Sequence, residues 1–89
     1  MAREYRTLEF SETFLLSFVS RDMTAADRAA ILKALRLLDE NELHPSLRVH
    51  KIVAEGVWSA SASDVLRISF ERLGHGRKGL LTCSKHYDR

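Results

Sequence analysis

The run Val57-Trp58-Ser59-Ala60-Ser61-Ala62-Ser63-Asp64-Val65-Leu66-Arg67-Ile68-Ser69-Phe70 decides the architecture. Trp58, Ala60 and Ala62 alternate with three serines, and after Asp64 the apolar Leu66, Ile68 and Phe70 alternate with Val65, Arg67 and Ser69. A period of two puts successive side chains on opposite sheet faces, so the run predicts a β-hairpin. One of its faces is apolar and the other carries Ser59, Ser61, Arg67 and Ser69.

Working outward, residues 73–79 contain Gly74-His75-Gly76 and read as a loop, followed by a last strand over Leu80 to Ser84. With Leu81 and Cys83 pointing inward, Thr82, Ser84 and His86 join the serine face. Upstream, Glu55-Gly56 marks a turn. Before it, Leu47 and Val49 share one parity and Ile52 the other, which predicts a bulge between them.

The first half has a different period. Residues 3–10 alternate and predict a strand. Ser11 offers an N-cap for a short helix to about Ser20, with Phe14, Leu15 and Phe18 on one face. Thr24 and Asp27 are spaced as a capping box opening a helix from Ala25 to about Asn41. Its stripe is Ile31, Leu35 and Leu38, supported by Leu32, and Asn41 with His44-Pro45 ends it. The expected fold is α+β in the order β-α-α-β-β-β. Two helices cover one face of a mostly antiparallel, about four-stranded sheet, in a single domain over residues 1–89.

Composition narrows the function classes. With 45% hydrophobic and 29% charged residues, the chain does not read as disordered, collagen-like or coiled-coil. A single cysteine excludes an internal disulfide framework and any multi-cysteine metal site, and suits a reducing cytoplasm. The charged N-terminal residues do not read as a secretory signal, and no apolar run is long enough to span a bilayer. Net charge is +2, but its placement is uneven. Residues 1–44 hold six Lys and Arg against eight Asp and Glu, and residues 45–89 hold eight against four. The second half is therefore the cationic one, which fits a polyanionic partner such as nucleic acid.

Candidate chemistry follows from that half. Arg67 projects from the polar face, where a guanidinium can bind phosphate in two-point fashion or serve a salt bridge to Asp64 or Glu71. His86 can donate or accept a proton near neutrality, or be a solvated terminal residue. Tyr87 can stack on a base or close the core edge. Arg48, His50 and Lys51 read as a cationic wall, or as edge charges that block aggregation. The histidines at 44, 50, 75 and 86 have no metal-ligand spacing, so neither a metal nor a cofactor is expected. Cys83 and Trp58 read as core.

Taken together, three segments resemble the RelE/ParE superfamily of bacterial toxin-antitoxin toxins. They are His44-Pro45-Ser46-Leu47-Arg48-Val49-His50-Lys51-Ile52, Gly56-Val57-Trp58-Ser59 and Asp64-Val65-Leu66-Arg67-Ile68-Ser69-Phe70. The ending Leu80-Leu81-Thr82-Cys83-Ser84-Lys85-His86-Tyr87 resembles the RelE/YoeB-like mRNA interferase branch in particular. The resemblance implies a cytoplasmic, metal-free endoribonuclease that cleaves mRNA in the ribosomal A site and is neutralised by an antitoxin. The 2′-hydroxyl would attack the adjacent phosphate, with Arg67 bearing the phosphorane charge, His86 as acid and Tyr87 orienting RNA. Lys51 matches a basic position of the preceding strand, and Arg48, Arg77, Lys78 and Lys85 are the cations expected against the RNA backbone.

One position departs from this pattern. Where the YoeB-like branch carries a glutamate base, this chain has Arg48. His50 is then the nearest proton acceptor, and Lys51 is a costlier one because its pKa must fall by several units. Alternatives of other classes are a ParE-like gyrase inhibitor acting by binding and an inactive antitoxin-binding relative.

Overall fold

The computed structural model describes residues 5–52 and 56–85. Its elements are β1 (Leu8–Phe10), α1 (Glu12–Phe18), α2 (Ala25–Glu40), a 3-10 turn (Pro45–Leu47), β2 (His50–Lys51), β3 (Val57–Ser61), β4 (Leu66–Gly74) and β5 (Arg77–Lys85). The expected α+β arrangement of two helices on a mostly antiparallel sheet is what forms, with five strands in the order β1-β5-β4-β3-β2. That is one strand more than the about four expected, and β2 is only two residues long. Only β1 runs parallel to its neighbour, β5.

Both helices begin where their capping residues place them. The Ser11 hydroxyl accepts the Phe14 N–H at 3.0 Å. Thr24 accepts the Asp27 N–H while the Asp27 carboxylate accepts the Thr24 N–H, so two otherwise orphaned amides are satisfied reciprocally. Along α2 the buried positions are Ile31, Ala34, Leu35 and Leu38. Leu32 is 43% exposed, because it lies about 100° round the helix from Ile31, and Ala34 takes the place expected of it.

Beneath the helices lie Ala60, Leu66, Ile68, Phe70, Leu80 and Cys83, with Phe14, Met23 and Leu47 sealing the edges. Ile68, Phe70, Leu38 and Ile31 are fully buried. Each such side chain contributes about 1.5–3 kcal/mol on burial. Trp58 packs against this core half-buried.

Four local readings change. The first strand is shorter than residues 3–10 because the Arg6 and Thr7 amides are taken by the Asp39 carboxylate on α2 at 3.0 and 2.7 Å, and residues 1–4 lie outside the described set. Leu47 sits in the 3-10 turn rather than a strand. The parity change before Ile52 arises there, as Arg48 ends that turn in the left-handed region (φ 47°, ψ 45°). The loop expected over residues 73–79 contracts to His75-Gly76, because both residues adopt positive φ (54° and 76°) and so close a two-residue hairpin between Gly74 and Arg77. Finally, Leu80 rather than Leu81 enters the core. Ser69 pairs with Thr82 but Phe70 pairs with Leu80, which makes Leu81 the extra residue of a bulge.

Candidate functional site

The helices cover the face of Trp58, Ala60, Ile68 and Phe70, and the register fixes what stands on the other. His50 pairs with Ser59, Ser59 with Ser69, and Ser69 with Thr82, giving one row across four strands. Ser61, Arg67 and Ser84 form the next row. His50, Ile52, Ser59, Arg67, Ser69 and Ser84 line a shallow depression of about 260 Å³ on this face. From strand geometry the Cα atoms of His50 and Arg67 are roughly 12 Å apart, which leaves room for a nucleotide between their side chains.

Among the described residues no acid holds Arg67. Its Nη1 donates to the Ser63 carbonyl at 2.9 Å and the Leu66 carbonyl at 3.2 Å. Among the described residues it forms no ion pair with Asp64 or Glu71, and Nε and Nη2 have no partner. Carbonyls anchor a guanidinium without cancelling its charge, so the cation remains able to receive an anion. His50 is anchored similarly, its Nδ1 lying 2.9 Å from the Arg48 carbonyl oxygen. Because a carbonyl only accepts, Nδ1 carries the proton, and Nε2 is the ring nitrogen that can hold a lone pair.

No protein-family model matches the sequence, and no curated protein matches it. Solved structures do. The YoeB/ParE toxin from Agrobacterium tumefaciens superposes with a TM-score of 0.71 at 17% identity, covering 92% of this chain and 100% of that one. A chain of the toxin-antitoxin complex RelBE2 from Mycobacterium tuberculosis gives 0.68 at 16% identity, over 90% of this chain and 96% of that one. The conserved hypothetical protein HP0894 from Helicobacter pylori gives 0.63 at 14% identity, over 90% and 93%. The chain shares the fold of these proteins.

On this sheet the expected site residues separate. His50 and Arg67 share the depression. Lys51 pairs with Trp58 and therefore stands on the opposite face from His50. Lys85 also lies on the helix side, with its ammonium 2.8 Å from Asp27. The Asp27 carboxyl is held below its ordinary value, first by the Lys85 hydrogen bond and then by the Thr24 amide. Arg77 is ion-paired with Glu9 at the far hairpin end. Lys78, only 5% exposed, donates to the Thr7 hydroxyl at 3.0 Å and the Gly76 carbonyl at 3.3 Å, with Glu42 at 3.8 Å. Arg48 lies outside the depression, beside the 3-10 turn. His86 and Tyr87 fall outside the described residues.

The sequence reading did not single out Ile52 and Ser59 as parts of a site, though alternation had placed Ser59 on the right face. Ser59 is only 6% exposed, since His50 and Ile52 wall it in. Cys83 is buried, which pushes its thiol up despite the Ser17 hydroxyl beside it at 3.4 Å, so it stays a protonated core group. Among the described residues no cluster of His, Cys, Asp and Glu is arranged to hold a metal ion. Nor is any described helix long and apolar enough to cross a membrane.

Proposed function

We propose that this chain is the toxin of a bacterial toxin-antitoxin pair and a metal-independent endoribonuclease acting on mRNA at the ribosomal A site in the cytoplasm. The observation that carries the reading is the depression on the sheet face opposite the helices, where His50, its Nδ1 against the Arg48 carbonyl, and Arg67, without an acid among the described residues, flank Ser59 and Ser69. The likeness of fold to a YoeB/ParE toxin and to a chain of the RelBE2 complex supports the toxin assignment and an antitoxin as partner.

The reaction assigns one task to each group. Nε2 of His50 takes the proton from the 2′-hydroxyl as that oxygen attacks the adjacent phosphorus. Arg67 receives the growing negative charge on the phosphoryl oxygens through Nε and Nη2. As the bond to the 5′-oxygen breaks, His86 supplies the proton that the leaving oxygen needs, and Tyr87 orients the nucleotide. The products are a 2′,3′-cyclic phosphate and a free 5′-hydroxyl. Ser84, two residues before His86 in the sequence, lines the depression. Lys51 faces away and Lys78, Arg77 and Lys85 are engaged by acids, so the proposed reaction uses none of them.

The test is expression with translating ribosomes and a reporter mRNA, mapping cut positions and end chemistry. Codon-linked cuts with 2′,3′-cyclic phosphate ends, lost in folded Arg67→Ala and His86→Ala variants, are the expected result. No cleavage together with arrested gyrase complexes overturns it in favour of a gyrase-binding toxin. Antitoxin binding with neither activity overturns it in favour of an inactive relative.

A further inference from the structure

We infer that Arg48 is a positioning residue that acts through its main chain, setting the tautomer and direction of the His50 ring. This rests on the ribonuclease reading for its consequence, but not for its geometry. Arg48 is one of only two non-glycine residues with positive φ among those described, and the other, His75, is explained by its hairpin turn. Pro45 and Ser46 start the 3-10 turn, the Arg48 N–H closes it onto the Pro45 carbonyl at 3.3 Å, and the left-handed conformation ends it. Such a residue normally stops a helical turn and redirects the chain. Here it also turns the Arg48 carbonyl oxygen to within 2.9 Å of Nδ1 of the residue two positions on.

A neutral imidazole exists in two forms, and the hydrogen bond at one nitrogen decides which form is present. With a carbonyl at Nδ1, the proton stays there and Nε2 keeps the lone pair. Of the two ring nitrogens it is Nε2 that is left to serve as base. If the turn ended in an extended conformation, that carbonyl would swing away and the ring would lose both its anchor and its preferred tautomer. The departure at position 48 is thereby accounted for. An arginine cannot replace a carboxylate base, but its carbonyl can prepare the next available one.

The side-chain charge and the backbone conformation separate in two variants that both lack the guanidinium. Arg48→Gly adopts positive φ freely, whereas Arg48→Val resists it because of its branched Cβ. The long-range nitrogen-proton correlation spectrum of the His50 ring is recorded at a pH where the ring is neutral, alongside cleavage of reporter mRNA on ribosomes. The expected result is the Nδ1–H form in the wild type and Arg48→Gly, its loss in Arg48→Val, and about tenfold faster cleavage by Arg48→Gly than by Arg48→Val. If Arg48→Val does not fold, Arg48→Ala takes its place, since its single methyl disfavours the same conformation more mildly. Equal spectra and equal rates in the two variants overturn the inference, as does an Nε2–H form in the wild type. The expected spectra without cleavage by any form would uphold the positioning of His50 and overturn the ribonuclease reading instead.

Discussion

The two ends of the sheet use the same residue types to opposite effect. At the β4–β5 hairpin end, every described cation meets an acid or is buried. Arg77 pairs with Glu9, Arg72 with Glu42 at 2.5 Å while stacking on Trp58, and Lys78 lies under Thr7 and Glu42. At the β2–β3–β4 end, Arg67 and His50 are held by backbone carbonyls. A carboxylate neutralises a cation and satisfies it, whereas a carbonyl orients it and leaves its charge. Counting basic residues therefore says little about where an anion binds. What matters is what each cation already touches.

The largest effect expected from this contrast is at Arg67. Arg67→Ala should lower ribosomal mRNA cleavage by about 10²–10³-fold, the range seen when one donor to a developing charge is removed. It should leave thermal unfolding within a few degrees of the wild type, because its bonds are to exposed or part-buried carbonyls of the turn. His50→Ala should fall in the range of about 10²–10⁴-fold expected for a general base. A wild-type rate in either variant breaks the functional side of the comparison.

Lys78→Met tests the other end. The ammonium is buried and donates to the Thr7 hydroxyl and the Gly76 carbonyl, so its loss removes both bonds, while Glu42 keeps Arg72 and the Thr7 hydroxyl keeps Asp39. The expected cost is about 1–3 kcal/mol in denaturant unfolding. Cleavage per folded molecule should change less than twofold. If cleavage falls at unchanged stability, Lys78 reaches the RNA and the two ends are not divided as described.

Much of the fold was legible because its local rules agree. Ser11, Thr24 and Asp27 cap the helices where their spacing places them, and the alternation from Trp58 to Phe70 set both faces of the sheet. The exceptions are places where one residue's conformation overrides a pattern. Leu80-Leu81 reads ambiguously because a bulge inserts a residue, and Leu47 to Ile52 because a left-handed Arg48 breaks the period. At the site, Arg67 could be named from parity and His50 as the proton acceptor nearest Arg48, but the fate of Lys78, Arg77 and Lys85 could not. Those depend on long-range partners, Asp27, Glu9 and Glu42, whose sequence distance from them carries no pattern.

Asp39 sharpens the view of how the hairpin end is tied down. Burial raises its carboxyl, but hydrogen bonds from the Thr7 amide and hydroxyl and the Arg6 amide, with the nearby Lys78 charge, outweigh that and hold it below its ordinary value. A depressed folded-state pKa means the contribution is fully present above the unfolded value of about 3.9 and is lost as pH falls through the lower folded one. Wild-type stability should therefore drop on acidification below about pH 4 more steeply than that of Asp39→Asn. Urea midpoints across that range check it, and parallel pH profiles for the two proteins would show that Asp39 does not carry the linkage.

The smallest effect belongs to Arg77. Its ion pair with Glu9 is about half exposed on both sides, at 49% and 47%, so water and salt screen most of the attraction. Arg77→Ala should cost less than about 1 kcal/mol, and cleavage should keep the wild-type dependence on salt. That dependence is the more telling readout. A cation that neutralises a phosphate steepens the fall of affinity with salt, by somewhat under one unit of slope for a single strand. Should Arg77→Ala flatten the salt dependence by that amount, the hairpin end would be in contact with the RNA backbone. Glu9 would then be a partner that Arg77 exchanges for phosphate, and the contrast between the two ends would be one of competition rather than of occupancy.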